Sequence, residues 1–252
     1  MSDISYTPPP PPPPPAPQQP LPPPPPQGPT FDFGRPFTFV FEDPNWLAKI
    51  LIGGLFYLAV FFLVGIFFIL GYCARLARNV IAGDPRPLPE WNDLGEYFSE
   101  GAVLFLVAFV YMIPIFALVG FFIVPAIIVA GLPHDSDVLR DVAGGISSLV
   151  WCLTIPVSFA LSLWLPGALL FTAVERRFSA GFEIGRIWNF IRANVGNYLL
   201  AFVVYLVARF AGGFGVALCC IGVIFTAFWA FLVSTYAYAQ AYRLATVPSV
   251  KL

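Results

Sequence analysis

Hydrophobic and polar residues do not alternate along this chain. They separate into four long apolar blocks, at 46–82, 101–132, 142–174 and 195–242, divided by short polar stretches. A helix needs about 20 apolar residues to cross a bilayer. The first three blocks, of 37, 32 and 33 residues, are each most simply one long or tilted helix. The fourth, of 48 residues, is interrupted by Gly212, Gly213 and Gly215 and divides into two. The pattern predicts an all-α, polytopic transmembrane bundle of about five spans, near 46–80, 101–131, 142–174, 195–211 and 214–243. Pro114, Pro125, Pro156 and Pro166 should kink the second and third. The membrane domain runs over 37–246, and 247–252 form a short C-terminal tail.

Two polar stretches carry a second pattern. In PLPEWNDLGEYFSEG (87–101), Leu88, Trp91, Leu94 and Phe98 fall near one helical face, with Pro89 in the first turn. Around 183–194, Ile184, Ile187, Trp188 and Ile191 share a face while Arg186 and Arg192 lie off it. Both read as amphipathic elbow helices, about 88–99 and 183–194, lying in the membrane interface. The first carries only acids (Glu90, Asp93, Glu96, Glu100) and the second is basic, with Arg176 and Arg177 just before it. Trp91-Asn92 and Trp188-Asn189 recur at an offset of 97 residues, each after a helix ending in arginines (Arg75 and Arg78; Arg176 and Arg177). The order of parts suggests an internal pseudo-repeat. Trp91, Glu90, Asp93, Arg75, Arg78, Arg176, Arg177, Arg186, Trp188 and Arg192 are therefore the candidate contacts, either with each other through carboxylate–arginine pairs or with anionic lipid headgroups.

Composition supports the membrane reading. The chain is 58% hydrophobic and 11% charged, against roughly 25% charged in soluble domains. A net charge of −1 gives no field for nucleic acid. Residues 1–36 form a separate region: Pro8–Pro15 and Pro22–Pro26 are unbroken runs, and such a segment favours extended polyproline II over a core. It reads as a disordered spacer or as a docking strand for a protein partner. In 31–45, Asp43-Pro44-Asn45 looks like a helix start, with Trp46 at headgroup level.

The basic residues bear on sidedness. With five spans, nine lie on the side of the 75–100 and 175–194 loops and four on the other. If block 46–82 is instead a hairpin bent at Gly53-Gly54 or Gly65, giving a sixth segment, the count becomes eleven against two and the N-terminal tail joins the basic side. Charge favours the hairpin and segment length opposes it. Either way the arginine-rich loops are expected on the cytoplasmic side of the cell membrane.

No chemistry stands out. His134 is the only histidine and sits in a polar turn, and Cys73, Cys152, Cys219 and Cys220 lie in apolar runs without CxxC spacing. No nucleophile elbow, phosphate loop or zinc-protease motif occurs. Lys49, Arg75, Arg78, Glu175 and Arg209 fall near predicted helix ends, which argues against ion coupling. No catalytic residue, cofactor or metal is expected, and the chain reads as non-enzymatic.

FEDPNWLAKILIGGL (41–55), LGYCARLARNVIAGDPRPLPEW (70–91), LPGALLFTAVERRFSAGFEIGRIWNFIRANVGNYLL (165–200) and CCIGVIFTAFWAFLVSTYAYAQAYR (219–243) resemble an uncharacterised prokaryotic (bacterial) membrane family, domain of unknown function 4013 (DUF4013). The resemblance implies a multi-pass helical domain behind a variable or Pro-rich N-terminus. It implies no activity and assigns no functional residue. The first span lacks the mid-span proline of the family, which weighs against the hairpin. Two function classes follow. One is a membrane scaffold or accessory subunit using the tail and the elbow helices. The alternative is a permease or lipid-handling transporter built from the pseudo-repeat, with a groove around Pro156 and Pro166.

Overall fold

The computed structural model describes residues 30–131, 137–217 and 222–246. Eight α-helices are present among them: α1 (Arg35–Thr38), α2 (Trp46–Leu58), α3 (Gly65–Ala82), α4 (Leu94–Gly131), α5 (Asp137–Glu175), α6 (Ile184–Ala193), α7 (Val195–Gly213) and α8 (Gly222–Thr246). No strand occurs among the described residues. The proline runs, the His134 turn, the Cys219-Cys220 pair and the C-terminal tail all lie outside the described residues.

Five helical segments are long and apolar enough to cross a membrane: Gly65–Ala82, Leu94–Val124, Gly144–Glu175, Val195–Ala217 and Gly222–Thr246. The bent pair Arg35–Glu42 and Trp46–Phe62 is a sixth candidate. The all-α bundle is thus present, and the glycines near 212 do divide the last block. The helices run unbroken through Pro114, Pro156 and Pro166.

Block 46–80 is not one helix. It breaks after a 3-10 turn (Ala59–Phe62) at Leu63, whose φ of 61° is left-handed. Gly65 then starts α3 against the Phe56 carbonyl, where a Cβ would not fit. Lys49, early in α2, bonds the Leu88 carbonyl just beyond the end of α3. The two helices therefore fold back as a hairpin. The bend needs no proline, because one residue in the left-handed region followed by a close backbone approach turns the chain. Left-handed geometry costs a non-glycine residue about 1–2 kcal/mol, so Leu63→Gly should raise the thermal midpoint in detergent, by no more than about 1 kcal/mol of stability once the freer unfolded chain is counted.

Pairwise contacts make three hairpins: α2 with α3, α4 with α5, and α7 with α8. Residues 31–49, the 83–100 stretch, 175–194 and the end of α8 gather at one end, called the basic end here. Phe37 and Phe39 rest on Trp229 and Tyr236 of α8, Gly83 meets Arg243, and Asn194 Nδ2 donates to the Ala241 carbonyl.

The predicted first elbow helix does not exist as such. Residues 84–93 are non-helical, and α4 starts at Leu94 and continues into the span. Pro85, Pro87 and Pro89 hold the residues before them out of the α region, and no breaker follows Leu94 to end the helix. Four successive carbonyls of this loop accept side-chain donors: Pro87 from Asn79, Leu88 from Lys49, Pro89 from Tyr72 and Glu90 from Tyr97. An extended buried loop must satisfy its backbone in this way. The second elbow forms as α6, within one residue of the predicted limits at each end. The Trp-Asn echo therefore has no common local structure: Trp91 lies in a turn and Trp188 in a helix.

Candidate functional site

An aromatic core fills the space between α2, α3, α8 and the 84–93 loop. Trp91 stacks on Tyr72 with ring centroids 4.1 Å apart and on Phe56 at 5.0 Å, and its Nε1 donates to the Lys49 carbonyl. It is a packing residue and not part of an interfacial elbow helix. Beside it, Lys49 is only 3% exposed. Its Nζ lies 2.7 Å from Asp43 Oδ2 and 2.6 Å from Glu90 Oε1. Glu90 therefore faces Lys49 and no arginine. Asp93 is exposed ahead of α4, where its carbonyl accepts from the Tyr97 amide.

The arginines form two networks at the basic end. In the first, Arg75 Nη1 reaches Glu96 Oε2 at 3.2 Å and Arg78 Nη2 reaches Glu100 Oε2 at 2.7 Å. Arg176 touches both acids, at 3.1 Å from Glu96 Oε1 and 3.2 Å from Glu100 Oε1. The second contact lacks hydrogen-bond geometry, and Glu100 Oε1 is buried with no hydrogen-bond partner. Arg78 also donates to the Ala173 carbonyl, tying α3 to α5. Arg176 itself has φ 53°, an unusual conformation for a side-chain-bearing residue; it ends α5 beside the two glutamates of α4.

In the second network, Arg177 pairs with Glu175 and Glu183, and Arg186 with the same two acids at 2.6 and 2.5 Å. Hydrogen bonds to Glu175, and then to Glu183, hold the Arg186 guanidinium above its ordinary pKa. Its guanidinium also lies over the Phe171 ring. Trp188 is half exposed, with Arg192 over its ring. Among the described residues, the direct carboxylate–arginine link between the acidic stretch and the start of the basic one therefore runs through Arg176 alone. Arg177 and Arg186 are occupied by acids of their own segment.

Next to the first network lie two adjoining cavities. A polar one of about 300 Å³ is lined by Arg78, Glu96, Ser99, Glu100, Thr172 and Arg176, among others. An apolar one of about 240 Å³ lies between α3, α4, α5, α7 and α8, against Leu70, Cys73, Pro166, Leu170, Phe231 and Tyr238, among others. Ala74, Leu104 and Ala173 line both. Tyr238 is 5% exposed, and its hydroxyl is buried without a partner. The groove anticipated around Pro156 and Pro166 reaches Pro166 only. Tyr238, Glu175 and Glu183 were not among the sequence candidates. Nothing in a run such as YAYAQAYR marks which tyrosine faces a cavity. Among the described residues, no three His, Cys, Asp or Glu side chains gather to hold a metal ion.

Among known proteins, no curated protein and no solved structure matches this chain. A family model described as Protein of unknown function (DUF4013) matches residues 54–221. That range contains the 70–91 and 165–200 stretches whole and leaves most of 41–55 and 219–243 outside. It covers about two thirds of the chain, so the protein, whose helices fit a membrane-embedded bundle, belongs to the DUF4013 family.

Proposed function

We propose that this chain is a non-enzymatic, multi-pass membrane protein that holds an amphiphilic lipid in the cleft made by the two adjoining cavities. The single observation behind this is their chemistry. An apolar space opens beside a charged one at the end of the bundle, as a ligand with a chain and a polar head requires. A dry apolar cavity of about 150 Å³ already takes up benzene, and the space here is larger, at about 240 Å³. This favours lipid handling over a purely structural scaffold.

Ten of the described basic residues belong to the basic end, and only Arg140 and Arg209 lie elsewhere. The positive-inside rule then makes that end cytoplasmic. Residues 1–29 precede in sequence a segment packed at this end, and the partner proposed for their proline runs is a soluble protein.

Ser162 lines the apolar cavity, and its hydroxyl bonds only within its own helix. Ser162→Trp should put a ring into that space. Native mass spectrometry of the detergent-extracted protein should find lipid retained by the wild type and reduced at least about fivefold in this variant. Ser148→Trp, at an exposed site on the same helix, should retain lipid as the wild type does. Equal retention by all three proteins would remove the proposal.

A further inference from the structure

Resting on that lipid-binding reading, we infer that the headgroup is an anionic phosphodiester bearing free hydroxyls, of the phosphoglycerol type. Its phosphate lies at Arg176, and its hydroxyls turn toward Glu100.

Charge comes first. Three guanidiniums (Arg75, Arg78, Arg176) face two carboxylates (Glu96, Glu100) in the first network, leaving one positive charge. A phosphodiester carries one negative charge and closes that balance. A zwitterionic headgroup does not, and its ammonium would add a cation beside the arginines. The second network, with Arg177 and Arg186 against Glu175 and Glu183, is already neutral and calls for no ligand.

Hydrogen bonding comes second. Glu100 Oε1 is a buried carboxylate oxygen that accepts no hydrogen bond, since Arg176 Nε, at 3.2 Å, pairs with it in charge but not in hydrogen-bond geometry, and such a group costs free energy until a donor is supplied. A headgroup hydroxyl is a donor of the right size. Arg176 is 53% exposed on its side chain, so its guanidinium has N–H groups to offer a phosphate; arginine has five donors in a planar fork that suits phosphate oxygens. Its left-handed backbone is the kind of local strain that collects at ligand clamps. In the adjoining apolar cavity, the unpartnered Tyr238 hydroxyl donates to an acyl ester carbonyl, and the chain continues between Leu70, Leu170 and Phe231.

The test uses the full chain in uncharged detergent, with added phosphatidylglycerol, phosphatidylethanolamine, phosphatidylcholine or soluble glycerol 1-phosphate, read by native mass spectrometry and thermal midpoint. Phosphatidylglycerol should be retained at least about fivefold over the two zwitterionic lipids. Arg176→Gln should bring the three to parity, and Arg86→Gln, at an exposed arginine outside both networks, should leave the preference intact. Glycerol 1-phosphate at millimolar concentration should not displace the lipid. If all three lipids are retained equally while Ser162→Trp still abolishes retention, the headgroup assignment is wrong and the lipid cleft stands. If Arg86→Gln lowers the preference as far as Arg176→Gln does, general surface charge explains it and the assignment fails. Displacement by glycerol 1-phosphate would replace the lipid with a free phosphate ligand. No retained lipid of any kind would overturn the cleft and the headgroup together.

Discussion

Lys49→Met should lower stability by about 3–5 kcal/mol, the usual cost of removing one partner from a buried ion pair. Methionine keeps most of the side chain's length, so the loss is electrostatic and not a packing defect. It leaves the Asp43 carboxylate, 8% exposed, without its cation, and it strips the Leu88 carbonyl of its donor. Glu90, 56% exposed, simply returns to water. For a chain of this size the thermal midpoint should fall by roughly 6–20 °C. Adding Asp43→Asn keeps an acceptor for the Asn45 amide, now held by Asp43 Oδ1 at 2.8 Å, and removes the stranded charge. The double variant should recover at least half the loss. A single variant as stable as wild type would show that this cluster does not hold the N-terminal segment in place.

Gly101→Ala should be at least as damaging for its size, costing about 3 kcal/mol or more, at and beyond the upper end of ordinary overpacking. A Cβ there would overlap the Phe67 carbonyl, and one on Gly71 would overlap the Tyr97 carbonyl. Both obstacles are backbone, so no side chain can swing away. Small residues let α3 and α4 touch along their main chains, and that contact aligns Arg75 and Arg78 with Glu96 and Glu100. Gly120→Ala on the same α4, with open space around it, should be neutral or slightly stabilising. Denaturant unfolding of both variants separates steric cost from helix propensity, and equal midpoints would discard the close-approach argument.

The spans were legible because long apolar runs leave few alternatives, and the Gly212–Gly215 break because glycine punctuates helices. The break at Leu63 was legible only in part: charge favoured a hairpin with a bend at Gly65 as one option, while segment length opposed it. Its sequence, AVFFLVG, is uniformly apolar, and the turn is imposed by the ion cluster at Lys49 and the close approach at Gly65. In 88–99 the helical period was real but misplaced: it weighed Leu88, Trp91, Leu94 and Phe98 above three prolines, and only the last two of these residues lie in a helix. The charge complementarity between acidic and arginine-rich stretches could be read from sequence, but not its partners. Glu90 was expected among the arginine partners and instead meets Lys49, six residues after Asp43 and across the hairpin. The cleft was invisible because its lining comes from five helices, and Tyr238 looks like every other tyrosine of α8.

The three-hairpin arrangement also bears on biogenesis. Each hairpin begins and ends at the basic end, so what must pass through the bilayer is only its far turn. Two of those linking stretches, 59–64 and 214–221, carry no charge in sequence, and the third, between spans Leu94–Val124 and Gly144–Glu175, carries Asp135, Asp137, Arg140 and Asp141. Helices can therefore enter the membrane two at a time, as closed pairs, without translocating any of the arginine–glutamate networks. Those networks are left to assemble last, at the end where every hairpin begins and closes.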